Sequence, residues 1–489
     1  MGAIAETQIF LGEDTGASLQ IRLREAISRA VWDGRFAPGD RLPATRALAR
    51  HLGIARITVS LAYEDLVTAG YAVSRMRSGF FIAEDAPRRL AVEEPAREGE
   101  AALDWAARLG PAPPALGPQA KPADWRRHRY PFVFGMPDDA GFPLEHWRAS
   151  ARQALGRRSF DAIADDFADR DDAMLVAEIV RRSLPGRGIA AAPAEVLVTH
   201  GATNALWLVA NLLGAARPGF VAAVEEPGYP DLRNLLLRLG AEVVPVPVDH
   251  MGLDPARLPE RLDAVFVTPS HQAPTGVTMT MARRRALLDL AAARDFVVVE
   301  DDYDFETSYL RPHSPALKSL DREGRVLYVG SFSKSLFPGL RLGYLVAPAP
   351  VIARARALRT LEARHPPGLT QRAAAYFLAL GYYNAYTNAL RDRLAERRAV
   401  LLAALAEAGL GPASGNTFGG ASLWIAAPEG VDTGALAARL KPEGVLIEPG
   451  APFFADPDPP RHFMRLGFSA IGPERIPEGV ARIARALRA

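Results

Sequence analysis

The order of apolar and polar positions divides the chain into three stretches of different character. Over residues 18–82, Leu19, Leu23, Ala26, Ile27, Ala30 and Val31 recur at helical spacing and Gly34 stops the run, which predicts a helix over 19–32. A turn at 37–40 follows, then a second helix over 44–52 ending at Gly53 and a third over 56–69 ending at Gly70. Residues 71–73 and 80–82 alternate as strands around a basic turn at 75–79. Over 84–129 the periodicity is lost and Ala, Pro, Glu and Arg dominate. That stretch reads as a semi-extended tether carrying at most a short helix over 101–109. From about 130 onward, apolar runs at 196–199, 221–224, 243–248, 264–268, 296–299, 326–329 and 342–346 alternate with helical patterns near 204–213, 232–239 and 281–293. The alternation predicts an α/β domain on a mostly parallel sheet with helices on both faces. Ligands in such sheets bind beyond the carboxyl ends of the strands.

Composition narrows the class. At 489 residues the chain is long enough for two or more domains, and 49% hydrophobic with 23% charged residues suits a soluble globular protein. The net charge of +2 makes any nucleic-acid surface a local feature. Zero cysteines excludes disulfides and thiolate metal sites. Residues 1–16 lack a basic start followed by an apolar core, and no apolar run approaches the roughly 20 residues that span a bilayer. A cytoplasmic protein without membrane partners is expected.

The first stretch is locally basic, its arginines outnumbering its acids. Its second and third helices, joined by a glycine-containing turn, form a helix-turn-helix whose second member enters the major groove N-terminus first. Arg56 and Thr58 then stand at the groove, while Val59, Ala62, Tyr63 and Leu66 hold the helix on its core. The 71–82 hairpin, with Arg75 and Arg77 in its turn, is a wing suited to phosphate or minor-groove contact. A small helical dimerisation domain with solvated arginines is the alternative.

In the large domain the densest chemistry is S-F-S-K-S-L-F-P-G-L-R-L-G-Y at 331–344. Lys334 follows a buried strand in apolar surroundings, which lowers its pKa toward the neutral amine that Schiff-base chemistry with an aldehyde needs. Arg341 supplies a fork for phosphate, with Ser331 and Ser333 as further donors. Together these describe an anchor for pyridoxal 5'-phosphate (PLP); a lone snorkelling lysine and a surface arginine are the bland alternative. In T-H-G-A-T at 199–203, the backbone N–H groups of Gly201 and Ala202 with the Thr203 hydroxyl make a phosphate cradle at a helix start. Tyr229 in E-P-G-Y can lie against a flat heterocycle or occupy a surface turn. His271 has no spaced partners for a zinc site, and no metal is expected. At the end of the apolar strand near 296–299, Asp301 is costly to bury unless it meets a cation such as the pyridine nitrogen of PLP, and Tyr303 reaches the phenolic oxygen of the same ring. A magnesium site is the rival for this acidic cluster.

Two families are resembled. The words P-G-D-R-L-P-A-T-R-A-L-A-R-H-L-G-I-A-R-I-T-V-S-L-A-Y-E-D-L-V-T-A-G-Y and R-S-G-F-F-I look like the winged helix of GntR-type transcription factors. The resemblance implies operator contacts from Arg46, Arg56 and Thr58, with Gly79 at the wing tip. Ala55 departs from it, since relatives carry Ser there. From about 130 to the end the chain resembles fold-type I aminotransferases. T-P-S-H-Q-A-P-T-G, E-D-D-Y-D and the 331–344 stretch are the words of their MocR/GabR-type regulator branch.

That resemblance implies an aminotransferase fold with a small C-terminal α+β subdomain, and a homodimer. It puts the Schiff base on Lys334, the pyridine nitrogen on Asp301, the phenolic oxygen on Tyr303 and the phosphate on Ser331, Ser333, Arg341 and Thr203, with Tyr229 stacked on the ring. Arg465, in F-M-R-L-G-F-S, takes the effector's carboxylate. Three places depart: Ala273 where aminotransferases have Asn, Asp231 where some relatives have a pocket arginine, and the entry segment 167–175.

The expected division is a winged helix at 15–83, a linker at 84–129 and a PLP-binding effector domain at 130–489. The expected function is a PLP-dependent transcriptional regulator that senses an amino compound through an external aldimine at Lys334 and acts on operator DNA. Related regulators answer to gamma-aminobutyrate, taurine, ectoine breakdown products, D-alanine or PLP itself, and the look of the large domain favours taurine or an ectoine-derived amine. An active aminotransferase fused to a DNA tether and a large domain that only dimerises are the alternatives.

Overall fold

A computed structural model of the chain describes residues 2–12, 16–87, 108, 122–135, 141–166, 168–310, 314–415, 417 and 419–488. The expected 101–109 helix apart from Arg108, most of the 84–129 tether and Phe167 lie outside the described residues. The chain divides into two compact units, Met1–Gly110 and Pro111–Ala489.

The helical spacing of the first unit buries one face of each helix. Leu23, Ile27, Ala30 and Val31 of α1 (Leu19–Trp32) share a core with Leu48 and Ala49 of α2 (Thr45–Leu52) and with Val59, Ala62, Tyr63 and Leu66 of α3 (Arg56–Thr68). Each large side chain so buried contributes about 1.5–3 kcal/mol relative to exposure. Ser18 caps α1 by accepting from the Ile21 N–H at 3.4 Å, and Gly53 ends α2 in the left-handed region at φ 66°. The buried Tyr63 hydroxyl is satisfied by donating to Pro43 O at 3.0 Å. A hairpin follows, with Ala72 of β1 (Ala72–Arg75) opposite Ile82 of β2 (Gly79–Ile82) and Arg75 opposite Gly79.

The second unit is organised by eight strands. They are β3 (Val196–Thr199), β4 (Val221–Glu226), β5 (Glu242–Asp249), β6 (Gly252–Leu253), β7 (Ala264–Val267), β8 (Val297–Asp302), β9 (Val326–Ser331) and β10 (Gly343–Val346). Their spatial order is β3-β10-β9-β8-β7-β4-β5-β6. The run β9-β8-β7-β4-β5 pairs parallel, whereas β10 is antiparallel to both its neighbours and β6 to β5. Successive residues face opposite sides of a strand, so Val299, Leu327 and Leu345 join one apolar cluster while Val298 and Val326 join another. The first cluster is covered by α4 (Ala202–Ala216) through Leu206 and Val209. The second is covered by α6 (Met281–Arg294) through Leu287 and Ala291. Between them in sequence, α5 (Pro230–Arg238) buries Leu232 and Leu236. Helices on both faces leave the strand ends as the open ground for polar residues.

A smaller antiparallel sheet follows, with β11 (Ser422–Ala426) and β12 (Glu448–Pro449) on either side of β13 (Phe463–Gly467). Its cover includes α7 (Ile476–Arg488), which buries Ile476, Val480 and Ile483. The packed chain reaches back before residue 130: Trp125 is buried against Val133 and Leu446. An indole of that size is stable inside an apolar cluster even where the surrounding sequence has no periodicity.

Candidate functional site

Five strands bring polar residues to the same end of the large sheet. Thr199 closes β3, Glu225 and Glu226 close β4, Thr268 follows β7, Asp301 and Asp302 close β8, and Ser331 closes β9. Phe134, Thr203, Tyr229, Asp301, Tyr303, Ser331, Ser333, Lys334, Arg341, Glu448 and Arg465 line one cavity of roughly 340 Å³ there. The residues expected from sequence to hold PLP and to meet its ligand are thus brought to one place.

Lys334 lies half-buried in the loop after β9, and desolvation lowers its pKa against the opposing pull of Asp304. Its Nζ stands 4.7 Å from the Phe134 ring centroid. A Cβ at Gly135, at φ 70°, would fall on that amine. On the neighbouring strand, Asp301 and Asp302 point to opposite faces and meet different fates. Asp302 accepts from Arg187 Nε at 2.6 Å and Tyr328 Oη at 2.9 Å. Burial pushes its pKa up, but Arg187, Ser270 and Tyr328 more than offset this and leave it low. Asp301 faces the cavity instead, and its Oδ1 is buried with no hydrogen-bond partner among the described residues. Burial, then the nearby Asp302 and Glu225, raise its pKa to about 8. A buried carboxyl left in that condition fits a cationic partner supplied from the cavity.

The other end of the cavity is cationic. Arg341, at φ 50°, donates through Nη2 to His200 O at 3.1 Å, and a Cβ on Gly201 would meet that same nitrogen at 3.2 Å. Gly201 caps α4 at φ 90°. A Cβ at Gly343 would stand 2.8 Å from Gly330 O and 3.0 Å from Ala202 N, so β10 packs this closely against the helix start only as glycine. Thr203 and Ser333 line the space between. Backbone N–H groups, hydroxyls and a guanidinium at a helix N-terminus suit a phosphate. Cavity, amine, unpartnered carboxyl and anion cradle therefore fit PLP.

Several expectations find a definite place. Tyr229 stands at the N-cap of α5, and its hydroxyl donates to Asp231 Oδ2 at 3.0 Å. Ala273 lines the cavity. His271 is built into the protein, its ring nitrogens 3.0 Å from Asp304 O and 3.2 Å from Ser308 Oγ. Among the described residues no group of three or more His, Asp or Glu side chains could hold a metal ion. Arg465 is buried on β13, where Nε donates to Glu448 Oε2 at 2.6 Å.

Glu448 and Arg187 escaped the sequence reading. Neither sits in a motif, and their partners lie 17 and 115 residues away. The sole signal for Arg187 was the charge of Asp302, which an apolar strand end cannot bury alone.

In the first unit, Arg46, Arg56, Arg75 and Arg77 are exposed and Thr58 is half-buried. Arg56 Nε donates to Thr45 Oγ1 at 3.4 Å. Ala55 gives α3 no side-chain cap, the consequence of the missing Ser. At the hairpin tip Arg77 and Gly79 hold φ of 62° and 99°, and Arg75 lies over the Phe81 ring at 4.6 Å. Two exposed apolar residues, Ile57 (65%) and Met76 (91%), accompany these arginines and were missed because the sequence reading followed charge.

Comparison with known proteins agrees with both units. Residues 136–483 match the model of aminotransferase class I and II, and residues 19–82 match that of bacterial regulatory proteins, gntR family. The HTH-type transcriptional regulator TauR of Rhodobacter capsulatus is 52% identical over 99% of this chain and 100% of that protein. The probable rhizopine catabolism regulatory protein MocR of Rhizobium meliloti is 31% identical over 96% of this chain and 94% of its own. The solved alpha-aminoadipate aminotransferase LysN of Thermus thermophilus, complexed with N-(5'-phosphopyridoxyl)-L-leucine, superposes with a TM-score of 0.68 at 28% identity, covering 79% of this chain and 98% of that one. The cofactor of the large domain is PLP, which supplies an aldehyde for amines and a ring that withdraws electrons. The chain belongs to the PLP-dependent HTH-type transcriptional regulators of the MocR type, in which a gntR-family DNA-binding domain is joined to a class I and II aminotransferase domain.

Proposed function

We propose that the large domain, residues 130–489, is a sensor for an amine carrying an acid group, and that its occupancy controls how the reader at 15–83 engages operator DNA across the 84–129 linker. The observation that carries this reading is the meeting of Lys334, the unpartnered Asp301 and Arg465 in one cavity. Lys334 is the residue that bonds the cofactor, Asp301 faces its ring nitrogen and Tyr303 its phenolic oxygen. Tyr229 covers the ring, and Ser331, Ser333, Thr203, the Gly201–Ala202 backbone and Arg341 hold the phosphate. An incoming amine competes with Lys334 for the aldehyde, and Arg465 receives the acid group through charge-assisted hydrogen bonds. Control of DNA follows if the amine favours one conformation of the chain over another.

Arg46, Arg56, Thr58, Arg75, Arg77 and Gly79 form the DNA-facing set, and the active assembly is a homodimer with two readers. No helix among the described residues is long and apolar enough to cross a membrane, and a DNA-binding regulator works in the cytoplasm. Taurine is the proposed effector: Arg465 suits a sulfonate, and the name of the TauR relative supports it. Ala273 in the cavity wall, in place of the amide that tunes the ring of aminotransferases, favours sensing over turnover.

The test is operator binding by the PLP-loaded chain, with the operator selected from a random DNA pool. Taurine is expected to shift affinity in the wild type and to have no effect in Arg465→Ala. An unchanged affinity with every amine that alters the cofactor spectrum contradicts the sensor reading. So does sustained formation of a carbonyl product, an aldehyde in the case of taurine, on the order of one turnover per second.

A further inference from the structure

Beyond the residues proposed to face the cofactor, the described residues lining the cavity include three acidic or basic side chains: Arg465, Glu448 and Asp231. Glu448 and Arg465 are direct cross-strand neighbours on β12 and β13. Arg465 Nε donates to Glu448 Oε2 at 2.6 Å, while the Phe134 N–H donates to Glu448 Oε1 at 3.3 Å. The guanidinium carbon also lies 4.3 Å from the Phe134 ring centroid and 4.7 Å from that of Phe453. Two rings and a carboxylate fix the guanidinium, and neither Nη group has a hydrogen-bond partner among the described residues. What is offered to a ligand is therefore a pre-set pair of N–H donors on a guanidinium that already faces one negative charge.

Among the described residues, the cavity holds no second cation for another acid group of the ligand outside the cofactor positions. Where a further charge stands, it is Asp231, held by the Tyr229 hydroxyl at 3.0 Å. A ligand with one acid group spreads its charge over the Nη edge of Arg465. A ligand with two must place the second in a cavity whose remaining charged side chains, outside the cofactor positions, are the carboxylates Asp231 and Glu448, and like charges in an enclosed site repel far more strongly than in water.

We propose that Glu448 and Asp231 are specificity-determining residues that admit amines with one acid group and reject amines with two, and that Glu448 also positions Arg465. This deepens the functional reading above and rests on it. The two roles of Glu448 separate chemically. Gln keeps an oxygen for Arg465 Nε but removes the charge, whereas Ala removes both.

The test uses the full chain loaded with PLP and two matched pairs of probes, read by titration calorimetry and by the visible spectrum. Taurine is paired with cysteate, which is taurine with a carboxylate on the amine-bearing carbon; β-alanine is paired in the same way with aspartate. In the wild type the one-acid member of a pair is expected to bind about 100-fold more tightly than the two-acid member. Glu448→Gln and Asp231→Asn should each narrow that ratio by about tenfold or more. Glu448→Gln should leave one-acid binding within about tenfold of wild type, and Glu448→Ala should weaken it further. A wild type that binds both members of a pair alike overturns the proposal, as do ratios unchanged in both Glu448→Gln and Asp231→Asn. A wild type that binds two-acid amines with the expected spectral change leaves amine sensing standing and sinks only the selectivity. No response to any of the four amines sinks both.

Discussion

Replacing Asp301 by Asn should move two measurable quantities in opposite directions. Without cofactor, Asp301 is buried, lacks a partner on Oδ1 and has its pKa raised to about 8, from an ordinary value near 3.8. The folded chain then holds a proton that the unfolded chain releases, so between about pH 4 and pH 8 the stability of the cofactor-free protein falls as pH rises. At pH 7 the gap spans about three pH units at about 1.4 kcal/mol each, a penalty on the order of 4 kcal/mol. Asn does not titrate. Asp301→Asn should therefore stabilise the cofactor-free chain by up to about 4 kcal/mol at pH 7 and by little at pH 4. With PLP bound, the same change removes the partner of a buried cation, which costs about 3–5 kcal/mol and weakens PLP by about 10²–10⁴-fold. Urea denaturation of the cofactor-free proteins at both pH values and fluorescence titration with PLP measure the two effects. A variant that is less stable than wild type without cofactor, or that binds PLP equally well, refutes the reasoning.

Other expectations follow from single contacts. Arg187→Met leaves Asp302 as an uncompensated buried charge and should destabilise the protein by about 3–5 kcal/mol in urea; a loss under about 1 kcal/mol would show that Asp302 has other support. Arg56→Ala should weaken specific DNA binding by about 1–3 kcal/mol if Arg56 reads a guanine edge, and Arg77→Ala should lower the salt slope by about one. Unchanged operator binding in both would remove this unit as the reader. Sedimentation should give a homodimer, and a monomer with full PLP occupancy would contradict the assembly proposed.

The large sheet was legible because its strands are short runs of Val, Leu and Phe bounded by turn formers, and burial on both faces demands such runs. The end of β8 was less so. Charge stopped the expected strand at 299, yet it continues to Asp302 because Arg187 and Tyr328 satisfy the last carboxylate. Lys334 and Asp301 could be singled out because each is an expensive group in an apolar setting, and Arg341, which stands exposed, because its fork suits a phosphate. The smaller sheet was not resolved from sequence, since β12 has two residues and gains its meaning from pairing with Arg465 on β13. Glu448 is invisible for the same reason: its role is set by a contact across strands, and no local pattern encodes it. The packing of Trp125 ahead of the domain likewise depends on Val133 and Leu446, the latter far later in the chain.

Lys334 is the residue through which the cofactor, and with it the sensing of an amine, is joined to the chain. Borohydride reduction of the PLP-loaded chain, followed by proteolysis and mass mapping, should place the phosphopyridoxyl label on Lys334, within the peptide that joins β9 to β10, and Lys334→Ala should remove it while the chain remains folded. A label on any other lysine, or its persistence in Lys334→Ala, would contradict the assignment on which the rest depends.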